Sequence, residues 1–215
     1  MIANEAESGE TIRSFTGERR FEKILSTLQP GDFLLIQFAH NDQKGGTPEA
    51  MDFKGSLKKY VDAAKAHGAS PILVTAMNRR AFDGDGKILD TLGGYPQAMR
   101  EFARAEGVPL IDLNAMSKTL FETMGPNGTL AAFVHYPAHT FAGQDEELKD
   151  DTHFNSYGAY ELARALVQQI RDQKLQLARY LRKDIPPFDP GRPDPVASVI
   201  LPQSPLVSVE KPYGK

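Results

Sequence analysis

Asp150 and His153 are the residues whose types and spacing point most directly to chemistry. They stand three positions apart, just before a stretch with helical spacing, so a turn entering that helix can bring the carboxylate against one imidazole nitrogen. That contact fixes the tautomer and leaves the other nitrogen as a general base. Helix capping is the alternative, because Asp150, Asp151 and Asn155 are residue types favoured at helix starts. The spacing alone leaves both interpretations open.

Asn41 and Gly9 are candidate donors to an oxyanion. Asn41 follows a strongly apolar stretch, where its carboxamide N–H groups can donate to developing negative charge. Gly9 lies in a polar loop, where the backbone N–H can approach a ligand because no side chain intervenes. Ordinary turn chemistry explains each residue equally well when it is taken alone.

The elements that must position these residues alternate between strands and helices. Short, nearly continuous apolar runs predict strands buried on both faces, and stretches with apolar residues at three- and four-residue steps predict helices between them. This alternation predicts an α/β fold with a parallel sheet between helices, whose ligands bind beyond the carboxyl ends of the strands. The predicted strands are residues 33–38, 71–75 and 108–113, and the predicted helices are residues 19–28, 53–66, 95–105 and 156–181.

Composition and charge exclude several classes of protein. The 215 residues carry a formal net charge of −3, which gives no basic surface for nucleic acid and no polybasic membrane patch. The sequence has no cysteine, and therefore no disulfide, thiolate nucleophile or cysteine-bound metal. No apolar run has the length needed to cross a bilayer. We expect neither a nucleic acid nor a membrane as partner.

The last 32 residues differ in character from the rest of the chain. They contain 8 of the 15 prolines, which excludes a long helix. Apolar residues at 199–201 and 206–207 predict an extended segment laid over the domain. We therefore expect a domain over residues 1–183 and a Pro-rich C-terminal extension over residues 184–215, packed on that domain.

Two further motifs suggest metal binding only superficially. His135 and His139 flank a loop without H-E-x-x-H spacing, so we expect a loop that faces substrate. Residues 83–87 lack the glutamate that completes a calcium loop, so a surface turn is expected there. We predict no metal.

Three segments together resemble the SGNH hydrolases, also called the GDSL family of esterases and lipases. Residues 4–15 resemble the glycine block of rhamnogalacturonan acetylesterases, which contains G-x-[ST]-x-R-S-[FY]. Residues 31–42 resemble the asparagine block G-D-[YF]-V-x-I-x-F-G-H-N-D, with Ala39 in place of a glycine. Residues 150–159 resemble the terminal block D-x-T-H-x-[ST/N]-x-x-G-A. The likeness runs from about residue 3 to residue 183.

The resemblance implies a three-layer α/β/α sandwich of flavodoxin-like topology and a role for each candidate residue. Gly9 through its backbone N–H and Asn41 through its side chain form the oxyanion hole. His153 is the general base and then the acid, and Asp150, rather than Asp151, orients it. The implied reaction proceeds through an acyl-enzyme without metal or cofactor. It removes acetyl groups from an acetylated oligo- or polysaccharide such as pectic rhamnogalacturonan, and the family resemblance implies a secreted or periplasmic protein.

The sequence departs from this family at the nucleophile. The family's serine lies in a Gly-Asp-Ser block at the end of its first strand, and no such string occurs in this chain. Ser8 and Ser14 lie near the glycine block, but neither substitutes for that serine. We therefore expect an N-terminally incomplete, inactive acetylesterase that lacks the first strand of the sheet.

Two rival hypotheses remain. A catalytically dead carbohydrate-binding protein would keep the cleft without the nucleophile. A flavodoxin-like nucleotide-binding or receiver module would share the sheet topology, but it leaves Asn41 and the Asp150–His153 pair unexplained.

Overall fold

The computed structural model of the chain describes residues 2–200, and its centre is a three-stranded parallel sheet. Strands β1 (Phe33–Ile36), β2 (Ser70–Val74) and β3 (Leu110–Ile111) are hydrogen-bonded in that order, without a gap. β1 and β3 lie within the predicted runs, and β2 begins one residue before the predicted residues 71–75. In the part of the chain that the structure describes, no strand precedes β1. The helices are α1 (Ile12–Gly17), α2 (Arg20–Thr27), α3 (Phe53–Ala66), α4 (Tyr95–Glu106), α5 (Leu113–Gly128) and α6 (Ser156–Asp172).

The sheet separates two hydrophobic cores, which confirms the predicted three-layer α/β/α arrangement. Successive side chains of a strand point to opposite faces. In β2, Leu73 packs into the core formed with α1 to α4, whereas Ile72 and Val74 pack into the core formed with α5 and α6. All three side chains are almost fully buried. This two-sided burial explains why the strand sequence is continuously apolar rather than alternating.

Strand β3 is shorter than predicted because its carboxyl end becomes a helix cap. Asp112 accepts a hydrogen bond from the backbone N–H of Ala115 and begins α5, a helix that the strand prediction missed. The Arg100 guanidinium donates to both Asp112 oxygens at 2.9 Å, and the Thr75 hydroxyl donates to the same carboxylate. These contacts join β2, α4 and α5 at the carboxyl edge of the sheet.

Helix α6 ends at Asp172, earlier than the predicted boundary at residue 181. Lys174 adopts a left-handed conformation, and the backbone N–H of Leu175 donates to the Ile170 carbonyl, which is the pattern of a Schellman cap. Residues 176–180 form a separate 3-10 turn. The helix was predicted to continue to residue 181 because the apolar residues after the cap keep the helical spacing in the sequence.

Strands β4 (Phe133–Tyr136) and β5 (Leu148–Phe154) form an antiparallel hairpin that the sequence patterns did not predict. His135 and Tyr136 therefore lie on a strand and not in the predicted loop. Phe133 is completely buried in the α5–α6 core and contacts Phe121 edge to face. The hairpin is thereby fixed to the main domain.

The segment after residue 184 runs along α6. Phe188 is buried in the α5–α6 core, and the Arg164 guanidinium forms an ion pair with Asp194 at 2.7 Å. Residues 201–215, including the apolar pair at 206–207, lie outside the described residues, so the predicted boundary at residues 183/184 stays a prediction. Among the helices of residues 2–200, none has the length and apolar character required to span a bilayer.

Candidate active site

The Asp150 and His153 side chains are in direct contact. Their contact joins His153 Nδ1 to Asp150 Oδ2 at 2.7 Å. The other carboxylate oxygen accepts the backbone N–H groups of Thr152 and His153 at 2.7 and 2.9 Å. Burial alone would raise the pKa of Asp150, but these hydrogen bonds from His153 and Thr152 outweigh it and hold the pKa below its usual value. Because Nδ1 contacts the carboxylate, Nε2 is the nitrogen that can exchange a proton with a substrate or nucleophile.

A bulge in strand β5 presents this pair, where the sequence predicted a turn. Phe154 opposes Phe133, but the next pair is Asp150 opposite Val134, so residues 151–153 are extra on β5. Bulges re-aim side chains and are frequent beside active sites. The imidazole of His153 is 69% exposed. Asn155, immediately after the strand, caps α6 by accepting the N–H groups of Tyr157 and Gly158.

Asp151 makes a different set of contacts. Its carboxylate lies 2.8 Å from His135 Nε2 and 2.9 Å from the Arg80 guanidinium, and its carbonyl accepts the Arg80 backbone N–H. Asp151 thus fastens the bulge to the segment that follows β2. The contact with His153 belongs to Asp150, the partner expected from the three-residue spacing, and the catalytic roles of both residues stay predictions.

Asn41 and Gly9 come from segments that are tied together. The Asn41 amide donates to the carbonyl of Glu10, next to Gly9, at 3.3 Å. Asp42 is buried and accepts the backbone N–H of Ile12 at 2.9 Å. Gly9 has a φ of +85°, which favours glycine, and nothing lies within 4 Å of where a Cβ would stand. The loop after β1 therefore holds the start of α1, and a side chain at position 9 would meet no neighbour.

His40 lies in the loop after β1, and the sequence patterns indicated no role for it. Burial is the largest cause that lowers the pKa of His40 to about 4, followed by the charge of Arg79. The charge of His153 lowers it as well. Within residues 2–200 His40 Nε2 is buried and has no hydrogen-bond partner. The lowered pKa keeps the His40 ring neutral near pH 7.

Arg79 is a second residue that sequence reasoning missed. Its guanidinium donates to the carbonyls of His40 at 2.8 Å and Thr91 at 2.9 Å. It fixes the loop after β1 against the segments that follow β2. Its position in the sequence could have identified it, because Arg79 follows the second predicted strand, at the edge where polar residues of an α/β sheet meet ligands.

No hydroxyl among the described residues contacts the His153 imidazole. Across residues 2–200, no serine or threonine hydroxyl forms a hydrogen bond with its imidazole. The Ser14 hydroxyl is engaged in the capping box of α1, where it contacts Thr11 and Glu10. The described part of the chain also contains no group of three acidic or histidine side chains arranged for a metal.

Comparison with known proteins places this geometry in a family. The profile of the GDSL-like lipase/acylhydrolase family matches residues 1–161. The chain is 38% identical over 182 residues to a rhamnogalacturonan acetylesterase of Bacillus subtilis (strain 168), covering 84% of this chain and 78% of that protein. It is 30% identical over 189 residues to a probable rhamnogalacturonan acetylesterase of the same organism, covering 86% and 82%.

Solved structures agree with the sequence comparison. A crystal structure of a Bacillus subtilis protein, 31% identical, superposes with a TM-score of 0.68 over 82% of this chain. This chain spans 47% of that structure, about half its length. An acetyl xylan esterase of Geobacillus stearothermophilus superposes with a TM-score of 0.52 over 76% of this chain and 69% of its own, and at 19% identity it supports the fold alone. The chain therefore belongs to the GDSL-like lipase/acylhydrolase family, the SGNH hydrolases, and within it resembles the rhamnogalacturonan acetylesterases.

Proposed function

We propose that this chain is the acid–base and oxyanion-binding part of a carbohydrate acetylesterase that acts on acetylated rhamnogalacturonan or a similar plant polysaccharide. The observation that carries the proposal is the 2.7 Å contact between His153 and Asp150, in a chain 38% identical to a rhamnogalacturonan acetylesterase. Asn41 and Gly9 supply the donors that acyl transfer requires. No step needs a metal or a cofactor.

Each residue has a defined task in this reaction. His153 Nε2 removes the proton from a serine hydroxyl as the oxygen attacks the acetyl carbonyl, and the ionised Asp150 stabilises the resulting imidazolium. Negative charge develops on the carbonyl oxygen, where the Gly9 N–H and the Asn41 amide donate to it. The protonated imidazole then gives its proton to the sugar oxygen that leaves. Water attacks the acetyl-enzyme by the same route and releases acetate.

We further propose that the 215-residue chain alone is inactive or nearly so. Its sequence has no Gly-Asp-Ser string, and no described hydroxyl contacts His153. Without a nucleophile the covalent step cannot begin. Loss of the nucleophile in a serine hydrolase lowers turnover by roughly six orders of magnitude.

Acetate release from polysaccharides tests the substrate class. The chain is compared with a form extended through the reading frame upstream of its first codon, on acetylated rhamnogalacturonan, acetylated xylan and a long-chain acyl ester. We expect acetate from acetylated rhamnogalacturonan with the extended form only, and none when His153→Ala is introduced. Hydrolysis of the long-chain ester in preference to both polysaccharides would contradict the proposal.

A carbohydrate-binding protein without catalysis is the second candidate, and the absent Gly-Asp-Ser string favours it. The upstream reading frame separates the two candidates. A strand ending in Gly-Asp-Ser supports the acetylesterase, whereas a stop codon in frame, together with retained polysaccharide binding, supports the binding protein.

We also propose a location outside the cytoplasm, because a polysaccharide cannot enter the cell intact. Cell fractionation with an antibody against the chain tests this. Recovery in the cytoplasmic fraction alone would contradict it.

A further inference from the structure

The β4–β5 hairpin carries an aromatic pair, half-buried Tyr136 and exposed Phe141, and Tyr136 lies on the same face as Asp150. Directly opposed residues of an antiparallel pair share a face. Val134 opposes Asp150 and Tyr136 opposes Leu148, so Tyr136 lies on the Asp150 face, about 7 Å further along the strands. The Tyr136 ring contacts Phe141 edge to face, with centroids 4.9 Å apart.

Phe141 contributes to neither hydrophobic core. It is 52% exposed, and in the described part of the chain its aromatic contact is with Tyr136. The part of the Phe141 side chain that stays in water contributes no hydrophobic stabilisation to folding. Large apolar groups exposed beside a polar site are typical of binding surfaces.

The loop between β4 and β5, residues 137–147, holds Phe141 in a fixed position. Gln144 accepts the Phe141 backbone N–H through its side-chain oxygen at 3.1 Å. Its side-chain amide donates to the carbonyls of Pro137 at 2.9 Å and Glu146 at 2.6 Å. The Gln144 backbone N–H donates back to the Phe141 carbonyl at 3.1 Å. Preorganisation of this kind lowers the entropic cost of binding.

The size and charge of this surface identify its ligand. An acetyl group is too small to cover two aromatic rings, whereas a pyranose ring offers a face of C–H groups of matching size. Asp145, Glu146 and Glu147 are exposed on the same loop, and one cation, Lys149, pairs with Glu147 at 2.7 Å. The excess negative charge disfavours a uronate carboxylate at this position.

We propose that Tyr136 and Phe141 form a subsite for a neutral pyranose unit of the acetylated oligosaccharide whose acetyl group reaches His153. The proposal rests on the proposed function, because the acetylated substrate defines which sugar lies beside the pair. The ring stacks on Phe141, and Tyr136 supports Phe141 from the side. Gln144 is a positioning residue, since it acts through the loop and does not touch the sugar.

Binding by the 215-residue chain tests the subsite without requiring catalysis. The probes are acetylated rhamnogalacturonan oligosaccharides and acetylated oligogalacturonides, titrated by NMR or calorimetry. We expect Phe141→Ala to weaken binding of the first probe by roughly 3- to 10-fold, and Gln144→Ala to weaken it less. Tyr180→Ala, which removes another exposed aromatic ring, serves as the matched control and should bind as the parent does.

Two outcomes overturn the subsite and leave the acetylesterase proposal standing. One is parental affinity in Phe141→Ala, and the other is tighter binding of the fully acidic oligogalacturonide. In the extended form, Phe141→Ala should raise the KM for the oligosaccharide and leave hydrolysis of p-nitrophenyl acetate unchanged, because that ester has no sugar. Loss of both activities would show a structural effect and also overturn the subsite.

Discussion

His40 and His153 are two imidazoles with opposite surroundings. His153 is exposed and contacts the Asp150 carboxylate. His40 is held by burial and faces the charge of Arg79, both of which favour the neutral ring. Only His153 therefore has an environment that stabilises the positive charge that general-base catalysis creates.

The titration of His40 tests this contrast. Its imidazole should titrate with a midpoint near pH 4 in two-dimensional NMR spectra and stay neutral from pH 5 to pH 8. Arg79→Gln should move the midpoint upward, because it removes a positive charge that opposes protonation. A midpoint near the ordinary histidine value in the parent chain would contradict the assigned burial.

Spacing in the sequence predicts contacts within a segment better than contacts between segments. The three-residue step from Asp150 to His153 predicted their contact, because both lie in one short stretch of backbone. The sequence gives no comparable sign that Arg79 reaches the His40 carbonyl across 39 positions, since that contact depends on how β1 and β2 pair. The contact between Tyr136 and Phe141 was missed because the hairpin itself was not predicted.

At the scale of elements, the strand and helix alternation predicted the parallel sheet, and the hairpin escaped prediction. Strand β5 reads Leu-Lys-Asp-Asp-Thr-His-Phe, and its bulge interrupts the alternation by which a strand is recognised. Helix α5 was missed because Asp112 ends an apolar run and begins a helix at once. A pattern of a single period represents neither the interrupted strand β5 nor a residue such as Asp112 that ends one element and begins the next.

Gly158 places α6 against the hairpin. A Cβ at this position would stand 2.1 Å from the Ala132 carbonyl oxygen and 2.8 Å from Phe154 Cβ. The oxygen belongs to the backbone and cannot move aside without shifting the strand. The close approach of α6 therefore requires a glycine, and the same approach positions the β5 bulge with His153.

Replacing Gly158 should separate the helix from the hairpin. We expect Gly158→Ala to lower the free energy of unfolding by about 1–3 kcal/mol, measured by urea denaturation. Gly17→Ala is the matched control, because nothing lies within 4 Å of its Cβ position, and its stability should be unchanged or slightly higher. Equal stability of the two variants would show that α6 does not approach the hairpin so closely.

At the scale of the whole molecule, a buried carboxyl joins α6 to the C-terminal segment. Glu161 is fully buried and accepts the Asp194 backbone N–H at 3.3 Å through Oε1. Burial, followed by the charge of Asp194, raises the pKa of Glu161 to about 7. Tyr157, Tyr160 and Arg164 also contact Asp194. The folded chain thus keeps a proton on Glu161 that the unfolded chain releases near pH 4.5.

Stability should therefore fall as the pH rises between about 4.5 and 7, because the folded state binds this proton more tightly. The loss amounts to at most about 3 kcal/mol in the free energy of unfolding. Glu161→Gln, which cannot ionise, should remove this part of the pH dependence. Urea denaturation at pH 5 and pH 8 measures this change in the free energy of unfolding. The same change in parent and variant would refute the buried proton.

Hydrolysis of p-nitrophenyl acetate tests most directly the central claim, that His153 is the general base and that the 215-residue chain lacks the nucleophile. The rate is measured for the 215-residue chain and for the upstream-extended form, each with and without His153→Ala. We predict no His153-dependent rate in the 215-residue chain. In the extended form, His153→Ala should lower the rate by at least about 10²- to 10⁴-fold. His153-dependent hydrolysis by the 215-residue chain, or full activity of the extended His153→Ala variant, would contradict the account.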